Sequence, residues 1–394
     1  MRVLVVSDYS SPTGGAEAVS RILVNGLRER GHEVRLFAST AGQAGESTDV
    51  DYTCYGTTAP WRTLLQTANP FAARSLKQAI DEFRPDVVHV RMFLTQLSPL
   101  ILPVLRSVPS LYHAVWYRAV CPLGTKLLPN GRACEETPGR ACRVNGCLPL
   151  RDWLPLMFQR RLQKKWLGAF DAVIANSEAT SLKLAADGIQ ADQVIPNGVP
   201  PRIPSPPLSD PMKILFAGRL VPEKGAHVLL RAFARLITEH PIARLVIAGE
   251  GPQLETLEHL AAELALGQSV VFPGHLSTEE VDLERAQSWV QVAPSVWDEP
   301  FGIVAAEAMM SSTAVIASNS GGLRDIVRPG VTGLLVPPDD AQALATALIE
   351  LASDREQTQS MGEKGRQIAL SEFSDTILVE RFLEVYRGLI GGMN

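Results

Sequence analysis

Two glutamates eight positions apart, Glu299 and Glu307 in Val296-Trp297-Asp298-Glu299-Pro300-Phe301-Gly302-Ile303-Val304-Ala305-Ala306-Glu307, bracket a glycine that opens an apolar helical segment. Carboxylates accept hydrogen bonds from hydroxyls. Free N–H groups near Gly302 and Ile303, with the positive end of the helix dipole behind them, suit a phosphate. The layout fits a polyhydroxylated anion. Two cations stand in a second segment, where Met212 to Ala217 reads as a buried strand and Gly218-Arg219-Leu220-Val221-Pro222-Glu223-Lys224-Gly225 as a turn into a helix over Ala226 to Glu239. The turn falls at a strand's carboxyl edge, where open parallel sheets bind ligands. Arg219 offers a planar fork of donors and Lys224 a flexible point charge, a combination suited to a diphosphate leaving group as its bond to a sugar breaks.

The Glu-x7-Glu spacing, the Ala308-Met309-Met310 that follows it and the Gly321-Gly322 turn resemble the donor-site signature of retaining glycosyltransferases of the GT-B fold, family 4. The resemblance is strong from Gly218 to Pro338 and weaker from Met1 to Val199. It implies an α/β protein with two Rossmann-like domains facing a central cleft. The reaction it implies is transfer of a sugar from a nucleotide-diphosphate donor to a hydroxyl acceptor, whether glycan, lipid-linked saccharide or small molecule, with retention of anomeric configuration. In that family Arg219 and Lys224 would bind the diphosphate, Glu307 the ribose hydroxyls and Glu299 the hydroxyls of the donor sugar, with Phe301, Gly302 and Ile303 completing the donor site. No Asp-x-Asp metal clamp is evident and the fold requires none, so neither a catalytic metal nor a cofactor beyond the donor is expected. A GT-B phosphorylase or epimerase, or a non-catalytic partner subunit, are the alternatives.

Neighbouring motifs lead elsewhere only in part. Gly218 to Gly225 lacks the Gly-Lys-Ser/Thr ending of a nucleotide-hydrolysing loop. Gly249-Glu250-Gly251-Pro252-Gln253-Leu254 follows the strand Arg244 to Ala248 and begins like a dinucleotide fingerprint, but Leu254 stands where the third glycine belongs. The family similarity makes Gly249 and Gly251 a turn whose small residues let a base or ribose approach. A net charge of -5 over 394 residues gives no basic stripe for nucleic acid. No run approaches a membrane span, and the apolar opening ends at Ser7 and Asp8, short of a signal-peptide core, so a cytoplasmic location is expected.

The N-terminal half has the same rhythm: strand Arg2 to Val6, a loop containing Gly14 and Gly15, a helix with Val19, Ile22, Leu23 and Leu27 on one face, then strand Glu33 to Phe37. The glycine pair stands at a helix entry, where a Cβ would keep a ligand from the amides. Further strands are expected at Val87 to Val90, Ser110 to His113 and Ala172 to Ala175. The proline-dense stretch after Ile195 sets the organisation as a domain over 1–199, a stiff linker over 200–211 and a second domain over 212–374; the resemblance implies that the second domain binds the donor and that the terminal helix in 375–394 returns to the first.

Three features depend less on the motif. His113 ends an apolar strand and is expected to face the cleft, where the family's histidine contacts the transferred sugar; Ala114 replaces the Asp that often follows. Cys121, Cys134, Cys142 and Cys147 crowd one Pro- and Gly-rich loop with spacings that match no common zinc signature, leaving a structural metal or cluster, disulfides and free thiols all open. Residues 150–170 mix Trp153, Leu154, Phe158 and Trp166 with Arg151, Arg160, Arg161, Lys164 and Lys165, which reads either as a helix lying on an anionic membrane or as a domain helix with a solvated basic face.

Overall fold

The structure, a computed structural model, describes residues 1–9, 15–41 and 50–392. The chain forms two compact units, one holding the residues up to Gly198, apart from Gly131–Ala133, together with the segment from Asp375 on, the other Val199–Ser374.

In the first unit β1 (Arg2–Val6), β2 (Glu33–Ser39), β3 (Tyr52–Cys54), β4 (Val87–Val90), β5 (Ser110–Ala114), β6 (Ala172–Ala175) and β7 (Gln193–Val194) make one parallel sheet ordered β3-β2-β1-β4-β5-β6-β7. β1, β4, β5 and β6 are short apolar runs buried along almost their whole length, as expected of strands with helices on both faces. The helix Asp375–Gly391 belongs to this unit and buries Leu378, Val379, Phe382, Leu383 and Tyr386. It lies so close to the helix Gly15–Glu29 that a Cβ on Gly26 would stand 2.6 Å from Val379 Cγ2.

The second unit repeats the scheme with β8 (Lys213–Ala217), β9 (Arg244–Ala248), β10 (Val270–Gly274), β11 (Val290–Ala293), β12 (Ala314–Ser318) and β13 (Gly333–Val336), ordered β10-β9-β8-β11-β12-β13 and parallel throughout. The helix Ala226–Glu239 places Val228, Leu229, Ala232, Phe233 and Leu236 on one stripe, and this stripe joins Ile214, Phe216, Leu245 and Ile247 in the core. In each sheet the winding reverses once, between β1 and β4 in the first and between β8 and β11 in the second. Ligands of doubly wound sheets bind beyond the carboxyl ends at such a reversal.

The proline-rich segment is anchored within the second unit. Ser205 N and Oγ both donate to Ser311 O at 2.7 Å, and the Arg202 guanidinium reaches Asp282 at 2.7 Å. No helix among the described residues is long and apolar enough to cross a membrane.

Candidate active site

The loops at the second reversal carry the predicted donor residues. Gly218 to Gly225 follows β8 and Pro294 to Gly302 follows β11. Gly225, at φ 72°, is required where these loops meet: a Cβ there would lie 1.9 Å from Pro294 O. That approach places Lys224 beside Glu299, Nζ to Oε1 2.8 Å, and Ser295 Oγ donates to the same carboxylate oxygen. Burial would push the Glu299 carboxyl up, but Lys224, Ser295 and Arg219 outweigh it and hold it below the usual range. Glu299 therefore stays ionised at neutral pH. Arg219 is exposed on the same edge.

A second clamp fixes the glutamate from behind. Gly321 and Gly322 lie flat on residues 298–301, where a Cβ on Gly321 would come within 2.4 Å of Glu299 N, and Gly322 N donates to Glu299 O at 2.7 Å. Ser320 Oγ bonds Trp297 O at 3.0 Å and Asp298 Oδ1 at 2.8 Å. The helix Ile303–Met310 then starts from Gly302, at φ 100°, with no side-chain cap. Its first amides are directed at the same edge and suit an anion.

The surroundings of several expected residues add to their reading. Glu307 is not isolated at the edge: its carboxylate, still partly exposed, is oriented by Arg285 at 3.4 Å and Arg202 at 3.6 Å, with Arg285 almost fully buried between it, Asp282 and Gln291. Neither arginine stands out in the sequence, because they lie 22 residues and more than 100 residues away from the carboxylate they hold. Phe301 turns its ring into the core against Phe373, at 6.2 Å between centroids, so only its backbone can meet a ligand. Gly249 and Gly251 are small for the sake of the chain itself: Cβ atoms there would lie 1.9 Å from Gly218 O and 2.3 Å from Leu220 O. The two loops are in backbone contact, with Leu220 N donating to Glu250 O at 2.8 Å.

Two family models match consecutive parts of the chain, Glycosyltransferase Family 4 over residues 13–202 and Glycosyl transferases group 1 over residues 202–368. The chain belongs to the family 4, group 1 glycosyltransferases. A glycogen synthase of Mycobacterium tuberculosis is 34% identical over 215 residues, 54% of this chain and 51% of that protein, so the chain spans about half the length of the curated relatives it matches. Among solved structures, sucrose-phosphate synthase from Thermosynechococcus elongatus superposes with a TM-score of 0.73 at 24% identity over 99% of both chains. The HepE protein of Anabaena, in complex with UDP and glucose, gives 0.72 at 21% identity over 98% of this chain and 100% of that one. At these identities the likeness establishes the GT-B fold.

The first unit of this family 4 chain is built differently at its own carboxyl edge. Gly14 lies outside the described residues; Gly15 is exposed as the first residue of its helix. His113 has no exposed surface, which corrects the expectation that it faces a cleft. Its Nδ1 lies 3.2 Å from His89 Nε2, His89 Nδ1 lies 2.7 Å from Tyr386 Oη, and Phe382 packs on both rings. Burial, with the charge of Arg91 added, pushes both imidazoles well below their ordinary pKa. Near the reversal point Asp8 is buried and accepts from the amides of Thr95, Gln96 and Leu97, fixing the loop after β4.

A cavity of about 270 Å³ opens in this unit between Tyr9, Arg62, Gln66, Thr95, Trp116 and Arg118, with Pro122, Leu123 and Leu148 also in its wall. Arg118 donates to Leu94 O and Gln66 Oε1, and burial lowers its pKa to about 10, leaving it charged at neutral pH. A long helix, Leu150–Trp166, packs over these loops in an inverted sense. It buries Gln159, Arg160 and Gln163, whose donors reach Leu94 O, Gln66 O and Ala119 O, carbonyls that no strand ladder satisfies. Its apolar residues Leu150, Leu154 and Phe158 are 52, 58 and 51% exposed.

Proposed function

We propose that this chain transfers a glycosyl group from a nucleotide-diphosphate sugar to a hydroxyl acceptor with retention of anomeric configuration and without a divalent metal. The Lys224–Glu299 pair at the reversal of the second sheet carries this reading, together with Arg219 and the uncapped helix start on the same edge. The bond from the anomeric carbon to the diphosphate oxygen breaks, the acceptor oxygen bonds to that carbon on the same face, and the acceptor proton passes to the departing phosphate oxygen. Lys224, Arg219 and the first helix amides disperse the charge that grows on the diphosphate, the role a divalent ion fills elsewhere. Glu299 accepts from the sugar hydroxyls and keeps Lys224 in place. Glu307, oriented by Arg202 and Arg285, accepts from the ribose. The UDP bound by the Anabaena protein supports a nucleoside-diphosphate donor. Acceptors enter the polar cavity of the first unit beside Arg118 and Arg62.

Incubation with a panel of radiolabelled nucleotide sugars and hydroxyl acceptors, with and without EDTA, followed by NMR assignment of the product anomer, tests the proposal. Retained product at equal rates in both buffers is expected. An inverted anomer, or turnover of a sugar phosphate with inorganic phosphate alone, would replace this reading with another.

The exposed side of the helix Leu150–Trp166 favours an acceptor met at an anionic lipid surface. Leu150, Leu154 and Phe158 repeat every fourth residue and so share one face, while Arg151, Arg161, Lys164 and Lys165 are exposed along the same helix. The adjoining short helix Arg62–Thr67 adds exposed Leu64, next to exposed Trp61. Apolar insertion combined with basic attraction binds such a helix to anionic headgroups.

A further inference from the structure

Between Leu127 and Cys147, the loop that leads to the helix Leu150–Trp166 has no apolar core of its own. No residue from Leu127 to Cys147 is buried, and the only helix within it is the short Arg140–Val144. Cys121, Cys134, Cys142 and Cys147 line one small cavity together with Leu127, Ala141 and Leu148. None of the four is in a disulfide. The cavity measures about 20 Å³. A water needs about 10–15 Å³ of such space, so the cavity is of the size of one atom-sized occupant. A stretch this long without buried side chains lacks the usual source of folding energy, and in small lobes a structural metal commonly supplies it.

We propose that Cys121, Cys134, Cys142 and Cys147 bind a single soft divalent cation, zinc by ligand chemistry, that staples this loop. Four thiolates select zinc or iron, and zinc accepts tetrahedral sulfur coordination without geometric preference of its own. The sulfurs line the cavity rather than meeting at its centre, and no group of three or more His, Cys, Asp or Glu side chains among the described residues is a ready-made ligand set. Ligation therefore requires side-chain rotation, which the partial exposure of the four cysteines allows. The site has a consequence for the first unit. Pro122, Leu123 and Leu148 flank Cys121 and Cys147 in sequence and form one wall of the 270 Å³ cavity, so the ion fixes that wall. It takes no part in bond making.

Elemental analysis of the full chain purified under reducing conditions should find about one zinc per chain. Cys134→Ser and Cys147→Ser should lose it, and Cys54→Ser, altering the buried cysteine of β3, should keep it. Replacement by cobalt should give the absorption bands of a tetrahedral thiolate site, a readout independent of activity and of the donor assignment. Should the serine variants fail to fold, extracting the ion from wild type with a chelator should expose four thiols to a titrant and make the 121–149 peptides exchange amide hydrogens faster, with both effects reversed by zinc. Wild-type protein without metal whose four thiols react at once would overturn the proposal, as would a mass showing two disulfides in the reduced preparation.

Discussion

The two units share a doubly wound parallel sheet with one winding reversal, yet they build their carboxyl edges in opposite ways. In the second unit the edge is made by backbone meeting backbone: Gly225 against Pro294, Gly249 against Gly218, Gly321 against Glu299, with side chains bonded to partners in the adjoining loops. In the first unit it is made by side chains reaching to distant carbonyls, Gln159 and Gln163 to Leu94 and Ala119 and Arg118 to Leu94, with a cysteine-lined loop beside them. An edge of the first kind tolerates little change in the chain and suits a constant ligand such as a nucleotide. An edge of the second kind can be altered one side chain at a time, which suits an acceptor that differs from one relative to another.

The strongest test of that contrast removes a charge from the backbone-built edge. Lys224→Ala should lower kcat about 10²–10³-fold, the scale for losing one preorganised group at a developing charge. It should also cost about 3 kcal/mol of stability, because the buried Glu299 carboxylate loses its ion-pair partner and keeps only Ser295 and the more distant Arg219. The double variant Lys224→Ala/Glu299→Gln should recover most of the stability and none of the turnover. Thermal unfolding and steady-state rates separate the two effects. A double variant as unstable as the single one would show that the pair does not hold the loops.

Glycines give the next comparison. Gly249→Ala would drive a Cβ to 1.9 Å from Gly218 O at a φ of 141°, and should cost roughly 3 kcal/mol together with nucleotide affinity measured by calorimetry. Gly15→Ala, at an exposed helix start, should change stability by about 0.5 kcal/mol or less. Equal losses at both positions would remove the distinction between the edges.

Acid should separate the units as well. His89 and His113 are buried neutral, with folded pKa values below the unfolded 6.5, so the unfolded state takes up protons first and the first unit loses stability as pH falls below about 6.5. Glu299 has a folded pKa below the carboxylate value of 4.5, and its contribution is complete above that value and disappears only as pH falls through the folded pKa. Hydrogen exchange read peptide by peptide should therefore show the first unit loosening near pH 5.5 while peptides around 295–305 stay protected. Simultaneous loosening of both would contradict the assignment of the buried pair.

The same contrast explains what the sequence made legible. Strands such as Val87 to Val90, Ala172 to Ala175 and Arg244 to Ala248, and the helix Ala226 to Glu239, were readable because short apolar runs and a 3.6-residue stripe are local patterns. Arg219, Lys224 and Glu299 were singled out in the segments that follow two strands, and the structure brings Lys224 and Glu299 together. The direction of His113 was not readable, because β5 is buried on both faces and its pattern marks no inner side. Nor were Arg202 and Arg285 as holders of Glu307, or Gln159 and Gln163 as donors to loop carbonyls. Those bonds join residues far apart in sequence, and a polar residue in a helix reads as solvated until the loop beneath it is known.

The smallest expected effect concerns the outward face of the helix Leu150–Trp166. Replacing Leu154 and Phe158 with glutamate touches no buried residue, since both side chains are more than half exposed and the buried face is formed by Leu156, Gln159, Arg160 and Gln163. Folding and transfer to a water-soluble acceptor should therefore change little. Binding to vesicles containing a third anionic lipid should fall about tenfold, since two apolar contacts are lost and two negative charges face negative headgroups. Vesicles of neutral lipid supply the control: there the loss should be smaller and insensitive to salt, because only the apolar part of the attraction operates. Cosedimentation distinguishes the outcomes. If the wild-type chain binds anionic and neutral vesicles equally weakly, the exposed stripe serves something other than a lipid surface, and the acceptor is then met in solution through the cavity beside Arg118.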